Sequence, residues 1–110
     1  KSLIDSAKDY VHRNYRSVDL GLDDTCKELG VSNSYFSSLF KKETGSSFVE
    51  YLTDYRMDKA ARMLVETDDK SYVIAQNVGY ADPNYFSYVF KRKYGVSPSR
   101  YRTEYEKNKV

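Results

Sequence analysis

One block of this sequence occurs twice, fifty residues apart. The first copy, "YFSSLFKKETG", begins at Tyr35, and the second, "YFSYVFKRKYG", begins at Tyr85. Both copies keep an opening Tyr-Phe-Ser, a second Phe, a Lys and a final Gly, but Ser38 in the first is matched by Tyr88 in the second. We expect the shared positions to build one local structure twice. The differing positions are expected to separate the roles of the two copies.

Apolar residues recur at helical spacing along the whole chain, and the alternation typical of strands is nowhere sustained. With caps and closing glycines included, the pattern predicts seven helices, at residues 2–15, 22–29, 32–45, 47–66, 73–79, 82–95 and 97–110. The fold class is therefore predicted to be all-α.

Several of these helices begin with recognisable caps. Ser47 and Glu50 have the spacing of a capping box at the start of the long fourth helix. Ser32 and Asp82 precede the helices that contain the two repeated blocks, and Pro83 suits a first helical position. The repeated helices are thus expected to begin at equivalent points.

The repeat is longer than one helix, because "CKELGVSNSYFSSLF" aligns with "AQNVGYADPNYFSYVF" when one residue is added in the second turn. Each copy is a helix, a glycine, a turn and a helix. Gly30 or Gly79 supplies the bend, and the small Cys26 or Ala75 lets the two helices approach. Since both copies also end in basic residues, the pattern predicts two helix-turn-helix motifs and favours DNA as the ligand. The alternative is an α-helical protein-interaction module with a duplicated hairpin.

Charge is distributed unevenly, although the formal net charge is only +2. Residues 1–70 hold 11 basic and 13 acidic side chains, whereas residues 71–110 hold 7 basic and 3 acidic ones. The segment "KRKYGVSPSRYR", from Lys91 to Arg102, has five basic residues and no acidic one. Such a surface attracts polyanions, and an ordinary solvated helix end is the alternative interpretation.

The sequence has no pattern typical of catalysis or metal binding. Cys26, the one cysteine, lies at an apolar helix position and is interpreted as a packing residue. His12, the one histidine, has no second His or Cys at ligand spacing. A Gly-rich phosphate loop and a nucleophile elbow are also missing, so we expect no enzymatic activity, no cofactor and no metal site. Charges interrupt every apolar run, and no membrane segment is predicted.

The predicted organisation is a first helix-turn-helix subdomain at 1–46, a linker helix at 47–66 and a second subdomain at 67–110. A helix of about twenty residues is roughly 30 Å long, which is close to the ~34 Å repeat of DNA. The two outward helices are therefore expected to enter successive major-groove segments on one face of a duplex.

Three stretches carry a resemblance to a known family: "LGVSNSYFSSLFKKETG", "YLTDYRMDKAARML" and "IAQNVGYADPNYFSYVFKRKYGVSPSRYR". Nearly the whole chain resembles the C-terminal DNA-binding domain of AraC-type transcription activators. The final Gly-x-Ser-Pro-x-x-Tyr-Arg element, Gly95 to Arg102, makes the match specific. More narrowly, the chain is similar to the output domains of bacterial two-component response regulators.

The resemblance implies a cytoplasmic bacterial regulator of transcription that binds double-stranded DNA. It also implies RNA polymerase as a partner. Because the chain begins at Lys1 without a Met, we expect a domain of a longer protein whose N-terminal receiver or sensory domain lies outside this sequence. No membrane partner is expected.

The helical period fixes which residues of the outward helices lie opposite the buried face. The base-facing candidates are Ser34, Ser37 and Ser38 in the first copy and Asn84, Ser87 and Tyr88 in the second. The resemblance assigns base and nearby backbone contacts to the same positions. Asn84 can pair with adenine and Tyr88 can approach a thymine methyl, whereas serine discriminates little between bases. Since many relatives have an arginine where this chain has Ser38, guanine readout by the first copy is left open.

A second group of residues is predicted to contact the DNA backbone, adding affinity and salt dependence without sequence information. Its members are Ser32, Tyr35, Lys41, Lys42, Arg56, Tyr85, Lys91, Arg92 and Arg100. For the two tyrosines, packing against the core is the interpretation given the larger share. For each cation, an ordinary solvated surface charge is as good an interpretation as a phosphate contact. Ser32 would act with the amide groups of its helix start, whereas Asp82 would repel phosphate and is interpreted as a cap alone.

Overall fold

The computed structural model describes residues 1–109, which form seven helices and no strand. The helices are α1 (Leu3–Asn14), α2 (Leu22–Leu29), α3 (Asn33–Thr44), α4 (Phe48–Glu66), α5 (Ser71–Asn77), α6 (Pro83–Tyr94) and α7 (Pro98–Asn108). The all-α prediction is confirmed. The last helix is predicted to reach Val110, which lies outside the described residues. None of the described helices combines the length and apolar character needed to cross a bilayer.

The predicted caps form at the helix starts. Ser32 Oγ accepts the Tyr35 N–H at 3.2 Å, and Asp82 Oδ1 accepts the N–H of the second residue of α6 at 2.9 Å. At α4 the capping box is reciprocal: Ser47 Oγ accepts the Glu50 N–H at 3.1 Å, and Glu50 Oε1 accepts the Ser47 N–H at 2.9 Å. The Ser47 amide, and then its hydroxyl, lower the pKa of the Glu50 carboxyl. These caps fix the residue at which each helix begins, and therefore which of its residues face the core.

The chain divides into two compact units, residues 1–55 and the residues from Arg56 onward, and the division falls within α4. In the first unit, α1 packs against α2 and α3. Cys26 is only 2% exposed, so its predicted packing role is confirmed. The buried core of this unit consists of Ile4, Ala7, Val11, Leu20, Cys26, Phe36, Phe40, Phe48 and Leu52.

In the second unit, α6 packs against α5 and α7. The ring of Phe90 meets that of Tyr101 edge to face at 5.4 Å, which joins α6 to α7. The buried apolar side chains of this unit are Met57, Ala60, Ala61, Leu64, Ile74, Ala75, Val78, Phe86 and Phe90.

Both helix-turn-helix motifs bend through the same hydrogen-bonded turn. Gly30 and Gly79 have φ angles of 71° and 97°, in the left-handed region. In each turn the glycine amide donates to the carbonyl three residues back, and the next amide donates to the carbonyl five residues back. This arrangement closes a helix C-terminus and favours glycine, because a Cβ is strained at such φ values. The predicted bends are confirmed.

The histidine of this chain, His12, packs against aromatic side chains. Among residues 1–109, no group of three His, Cys, Asp or Glu side chains is arranged to hold a metal ion. His12 stacks on Tyr55 with ring centroids 4.6 Å apart, and its Nε2 lies 2.9 Å from the Tyr51 hydroxyl. The imidazole thus belongs to an aromatic cluster between α1 and the first part of α4.

Candidate nucleic-acid interface

The two copies have the same pattern of exposure. At residues 32–50 and 82–100, buried, half-buried and exposed positions agree at every step. α3 and α6 are each 12 residues long. Both turn two fully buried phenylalanines inward, Phe36 and Phe40 in α3, Phe86 and Phe90 in α6. The opposite side of each helix therefore faces solvent.

The outward side of α3 carries small polar groups. Ser34 and Ser38 are exposed and Ser37 is half-buried. Ser32, whose hydroxyl caps the helix, is also exposed at its start. Because hydroxyls both donate and accept, this surface can bind phosphate or bases but distinguishes little between base pairs.

The outward side of α6 carries larger and more varied groups. Asn84 and Tyr88 are exposed, and Ser87 is half-buried. A carboxamide can make paired hydrogen bonds to adenine, and a phenol presents both a hydroxyl and an apolar ring. The second copy therefore has more capacity for base discrimination than the first.

The prediction that Tyr35 and Tyr85 mainly extend the core is wrong. Their exposed fractions are 58% and 56%. Each residue precedes a buried phenylalanine and is turned from it by about 100° around the helix. The ring therefore lies at the edge of the buried face, where the hydroxyl is accessible to a phosphate.

The predicted phosphate-binding cations are exposed, with one exception. Four of them lie in the last turns of α3 and α6: Lys41, Lys42, Lys91 and Arg92. Arg100 is exposed at the start of α7, where its Nε donates to Glu104 Oε1 at 3.1 Å. Exposed pairs at this spacing are weak, so the Arg100 guanidinium can exchange Glu104 for a phosphate at little cost.

Arg56 is the exception, and its predicted contact with phosphate is corrected. The side chain is only 7% exposed, and its guanidinium lies over the ring of Tyr80, 5.5 Å from the centroid. Burial lowers the pKa of Arg56, and the neighbouring Tyr80 opposes that shift. The α4 sequence places Arg56 beside Met57, and the buried side of the helix includes both residues. Arg56 therefore packs inside the second unit.

Three tyrosines of the second unit form a series of neighbouring rings that sequence reasoning missed. We call Tyr80, Tyr85 and Tyr88 the tyrosine ladder. The Tyr80 and Tyr85 ring centroids are 6.0 Å apart, and the Tyr85 and Tyr88 centroids are 6.3 Å apart with an interplanar angle of 28°. Arg92 Nη1 donates to the Tyr88 hydroxyl at 3.1 Å, and this hydrogen bond raises the pKa of Arg92. The spacing of 85, 88 and 92 at i, i+3 and i+7 was the available signal.

A second contact missed in the sequence holds α6 against α4. Asp58 Oδ1 accepts from Lys93 Nζ at 2.8 Å and from the Tyr94 hydroxyl at 2.9 Å. Burial would raise the pKa of Asp58, but the hydrogen bonds from Lys93 and Tyr94 outweigh it, and the net pKa is lowered. The basic run at the end of α6 is therefore divided, because Lys93 pairs within the protein while Lys91 faces solvent.

Arg102 has a structural role in the same unit. Its Nε donates to the Leu64 carbonyl at 2.8 Å, and its Nη2 donates to the carbonyls of Thr67 at 3.1 Å and Asp69 at 2.7 Å. These bonds satisfy carbonyls at and beyond the end of α4. Arg102 of the final sequence element thus fixes α7 to the end of α4 and to the segment between α4 and α5.

Comparison with known proteins agrees with this geometry. A family model described as a helix-turn-helix domain matches residues 25–104. The chain belongs to the AraC-type helix-turn-helix family. This AraC-type domain is 36% identical over 80 residues to the lactose operon transcription activator of Staphylococcus xylosus, a match that covers 73% of this chain and 28% of that protein. The chain spans less than a third of the length of the first curated relatives it matches.

Solved structures give the same assignment. The AraC-type domain is similar to the C-terminal domain of AraT, a response regulator from Geobacillus stearothermophilus, with a TM-score of 0.92 and 38% identity. That match covers 94% of this chain and 86% of the other. The DNA-binding domain of AdpA, solved in complex with a target DNA, matches this chain with a TM-score of 0.92. That match covers 99% of this chain and 97% of the AdpA chain. At 21% identity this last likeness shows the fold alone.

Proposed function

We propose that this AraC-type domain binds double-stranded DNA with sequence specificity and regulates transcription. The observation that carries the proposal is the pair of outward helices, α3 and α6, whose equivalent exposed sides hold polar groups followed by cations. A helix of this width fits the major groove, where each base pair presents its own set of donors and acceptors. The proposal includes no catalytic step.

The exposed residues divide into two proposed roles. Base edges are contacted by Ser34, Ser37, Ser38, Asn84, Ser87 and Tyr88. The DNA backbone is contacted by Ser32, Tyr35, Lys41, Lys42, Tyr85, Lys91 and Arg100. Arg92, which stands between the two groups, is considered separately below. Phosphate contacts position the protein and contribute most of the salt-dependent affinity, whereas base contacts supply specificity.

The chain is proposed to act as the output domain of a longer cytoplasmic protein. AraT and the Staphylococcus activator are named as a response regulator and a transcription activator. By analogy, an N-terminal receiver or sensory domain would control this domain, and RNA polymerase would be its partner at the promoter.

Fluorescence anisotropy with a labelled duplex tests the proposal. Affinity for random duplex should fall steeply as salt rises, because cations displace counterions from phosphates. Lys91→Ala should weaken binding to every duplex and flatten the salt dependence, whereas Asn84→Ala should change the preference at particular base pairs.

Two outcomes would count against this function. Absence of salt-sensitive duplex binding at low salt would favour the alternative, a protein-interaction module. Equal effects of Lys91→Ala and Asn84→Ala on every sequence would show that the proposed division between backbone and base contacts is wrong.

A further inference from the structure

The tyrosine ladder connects the interior of the second unit to the exposed end of α6. Tyr80 lies beneath the buried Arg56 and contacts the core ring of Phe86 at 5.7 Å. The ring of Tyr85 lies against that of Tyr80 at a tilt of 47°, and the ring of Tyr88 stacks on that of Tyr85. An exposed aromatic ring that rests on a supported neighbour has fewer accessible rotamers, and less entropy is lost when it binds.

Arg92 completes this series. Its guanidinium lies 5.8 Å from the Tyr88 ring centroid, and Nη1 donates to the Tyr88 hydroxyl at 3.1 Å. Both side chains are exposed. The hydrogen bond and the position over the ring therefore favour one orientation of the arginine, although both side chains are solvated.

The direction of Arg92 differs from that expected of a phosphate contact. Residues four apart on a helix differ by about 40° around its axis, so Arg92 projects close to the direction of Tyr88. Tyr88 lies opposite the buried Phe86 and Phe90. The bond to Tyr88 also draws the guanidinium back by about one turn, toward the N-terminal half of α6, and that half of a recognition helix meets base edges.

We propose that Arg92, oriented by Tyr88, reads a guanine in the major groove. The inference rests on the proposed function and adds a specificity-determining residue to it. A guanidinium that donates one N–H to a hydroxyl retains donors for the N7 and O6 acceptors of guanine, and its planar fork matches the paired geometry of these two acceptors. Tyr88 acts as a positioning residue and lies beside the same base pair.

The pairing of a tyrosine with an arginine four residues later occurs in the second copy but not in the first. The positions fifty residues earlier hold Ser38 and Lys42, which have neither an aromatic ring nor a guanidinium. A G·C requirement is therefore expected in the half of the DNA site bound by α6. No G·C requirement due to a tyrosine-oriented arginine is expected in the half bound by α3.

The test begins with selection of bound duplexes from a random pool by the wild-type domain. The selected site is then compared with a duplex in which the α6-side G·C pair is replaced by A·T. Wild type should prefer the G·C duplex by about ten-fold or more. In R92K the charge remains but the planar fork is lost, so the ratio of the two affinities should fall toward one. Y88F, which keeps the ring and removes the hydroxyl, should lower the ratio at the same base pair.

The matched control is Lys91→Ala, one residue earlier on α6. It should weaken binding to both duplexes by the same factor and keep their ratio. The inference is overturned if the selected sites lack a fixed G·C pair on the α6 side. It is also overturned if R92K keeps the wild-type ratio, or if Arg92→Ala weakens both duplexes equally, as loss of a phosphate contact would. A wild-type domain with no preferred sequence would instead refute sequence-specific binding itself, and the guanine contact with it.

Discussion

Arg56 and Arg92 carry the same guanidinium in opposite surroundings. Arg56 is 7% exposed and lies over Tyr80 inside the second unit, whereas Arg92 is exposed and lies over Tyr88 at the surface. The tyrosine ladder stands between them. A cation at one end of the ladder therefore stabilises the protein, while the cation at the other end is available to a ligand.

Replacement of Arg56 by alanine should destabilise the domain without acting directly on DNA. The change removes the packing of a buried side chain and its interaction with Tyr80, and the expected loss is about 1–3 kcal/mol in the free energy of unfolding. Chemical denaturation measures it. The matched control is Arg62→Ala, an exposed position in the same helix, for which a change within about 0.5 kcal/mol is expected. An Arg56→Ala variant of wild-type stability that loses DNA affinity would restore the phosphate-contact interpretation.

Residue roles were predictable from the sequence where burial follows periodicity. Phe36 and Phe86 repeat at helical spacing with the other core positions, and both are fully buried. The exposure of Tyr35 and Tyr85 was not predictable, because a ring next to the buried face can turn either way. The burial of Arg56 was missed for a related reason, since its partner Tyr80 lies in a turn that no helical pattern relates to α4.

At the scale of elements, α6 is attached to α4 through one carboxylate. Asp58 Oδ1 accepts from both Lys93 and Tyr94. The carboxylate is the form that these donors favour, and its pKa is accordingly lowered. α6 thus has a polar contact with α4 as well as its two buried phenylalanines.

This contact predicts a dependence of stability on pH. Because the folded-state pKa of Asp58 lies below the unfolded value of about 3.9, the contribution is present above pH ~4 and is lost as pH falls through the folded pKa. Asp58→Asn should be less stable than wild type at pH 7 by no more than about 1 kcal/mol, because the Asp58 side chain is 67% exposed, and the difference should shrink at low pH. Thermal unfolding between pH 7 and pH 2.5 measures this effect, with the exposed Asp68→Asn as control. A difference that stays constant over that range would contradict an ionic origin.

Element types, and the starts of helices with a side-chain cap, were accessible from the sequence because caps act locally. The fifth helix was predicted at 73–79 but spans Ser71–Asn77, and no side chain caps its start. The Ser47 and Glu50 box, the Asp82 cap and the two glycine bends form as the residue types indicate. Contacts such as those of Arg102 with the carbonyls of Leu64 and Thr67 join residues far apart in sequence. Local patterns contain no information about such pairs.

At the scale of the whole molecule, the proposed function requires two helix-turn-helix motifs in one chain to bind one DNA site. α4 has 19 residues and is about 28 Å long at 1.5 Å per residue. Helix-turn-helix dimers place their recognition helices about one helical turn of DNA apart. Under the proposed function, the two motifs of one chain would occupy two such positions on the DNA.

Selected DNA sites should therefore contain two protected patches about 10 base pairs apart, centre to centre. Hydroxyl-radical footprinting of a selected duplex would show them on one face. Substitution of Ser38 by alanine should leave base preference in the α3 patch nearly unchanged, because serine discriminates little, while Asn84→Ala should alter the α6 patch. One continuous protected patch, or two patches half a turn apart, would contradict binding by both motifs in successive groove segments.

The matching exposure of residues 32–50 and 82–100 has a consequence for protein engineering. Outward residues of α6 can be transplanted to positions fifty residues earlier without moving a buried group, and exposed substitutions of this kind usually change stability by no more than about 0.5 kcal/mol. Under the proposed function, substitutions in one copy would change the preferred bases in its half of the DNA site, while the other copy would keep its own preference. Because the same framework is present twice, the outward residues of one copy can change during evolution while the buried residues of both copies stay the same.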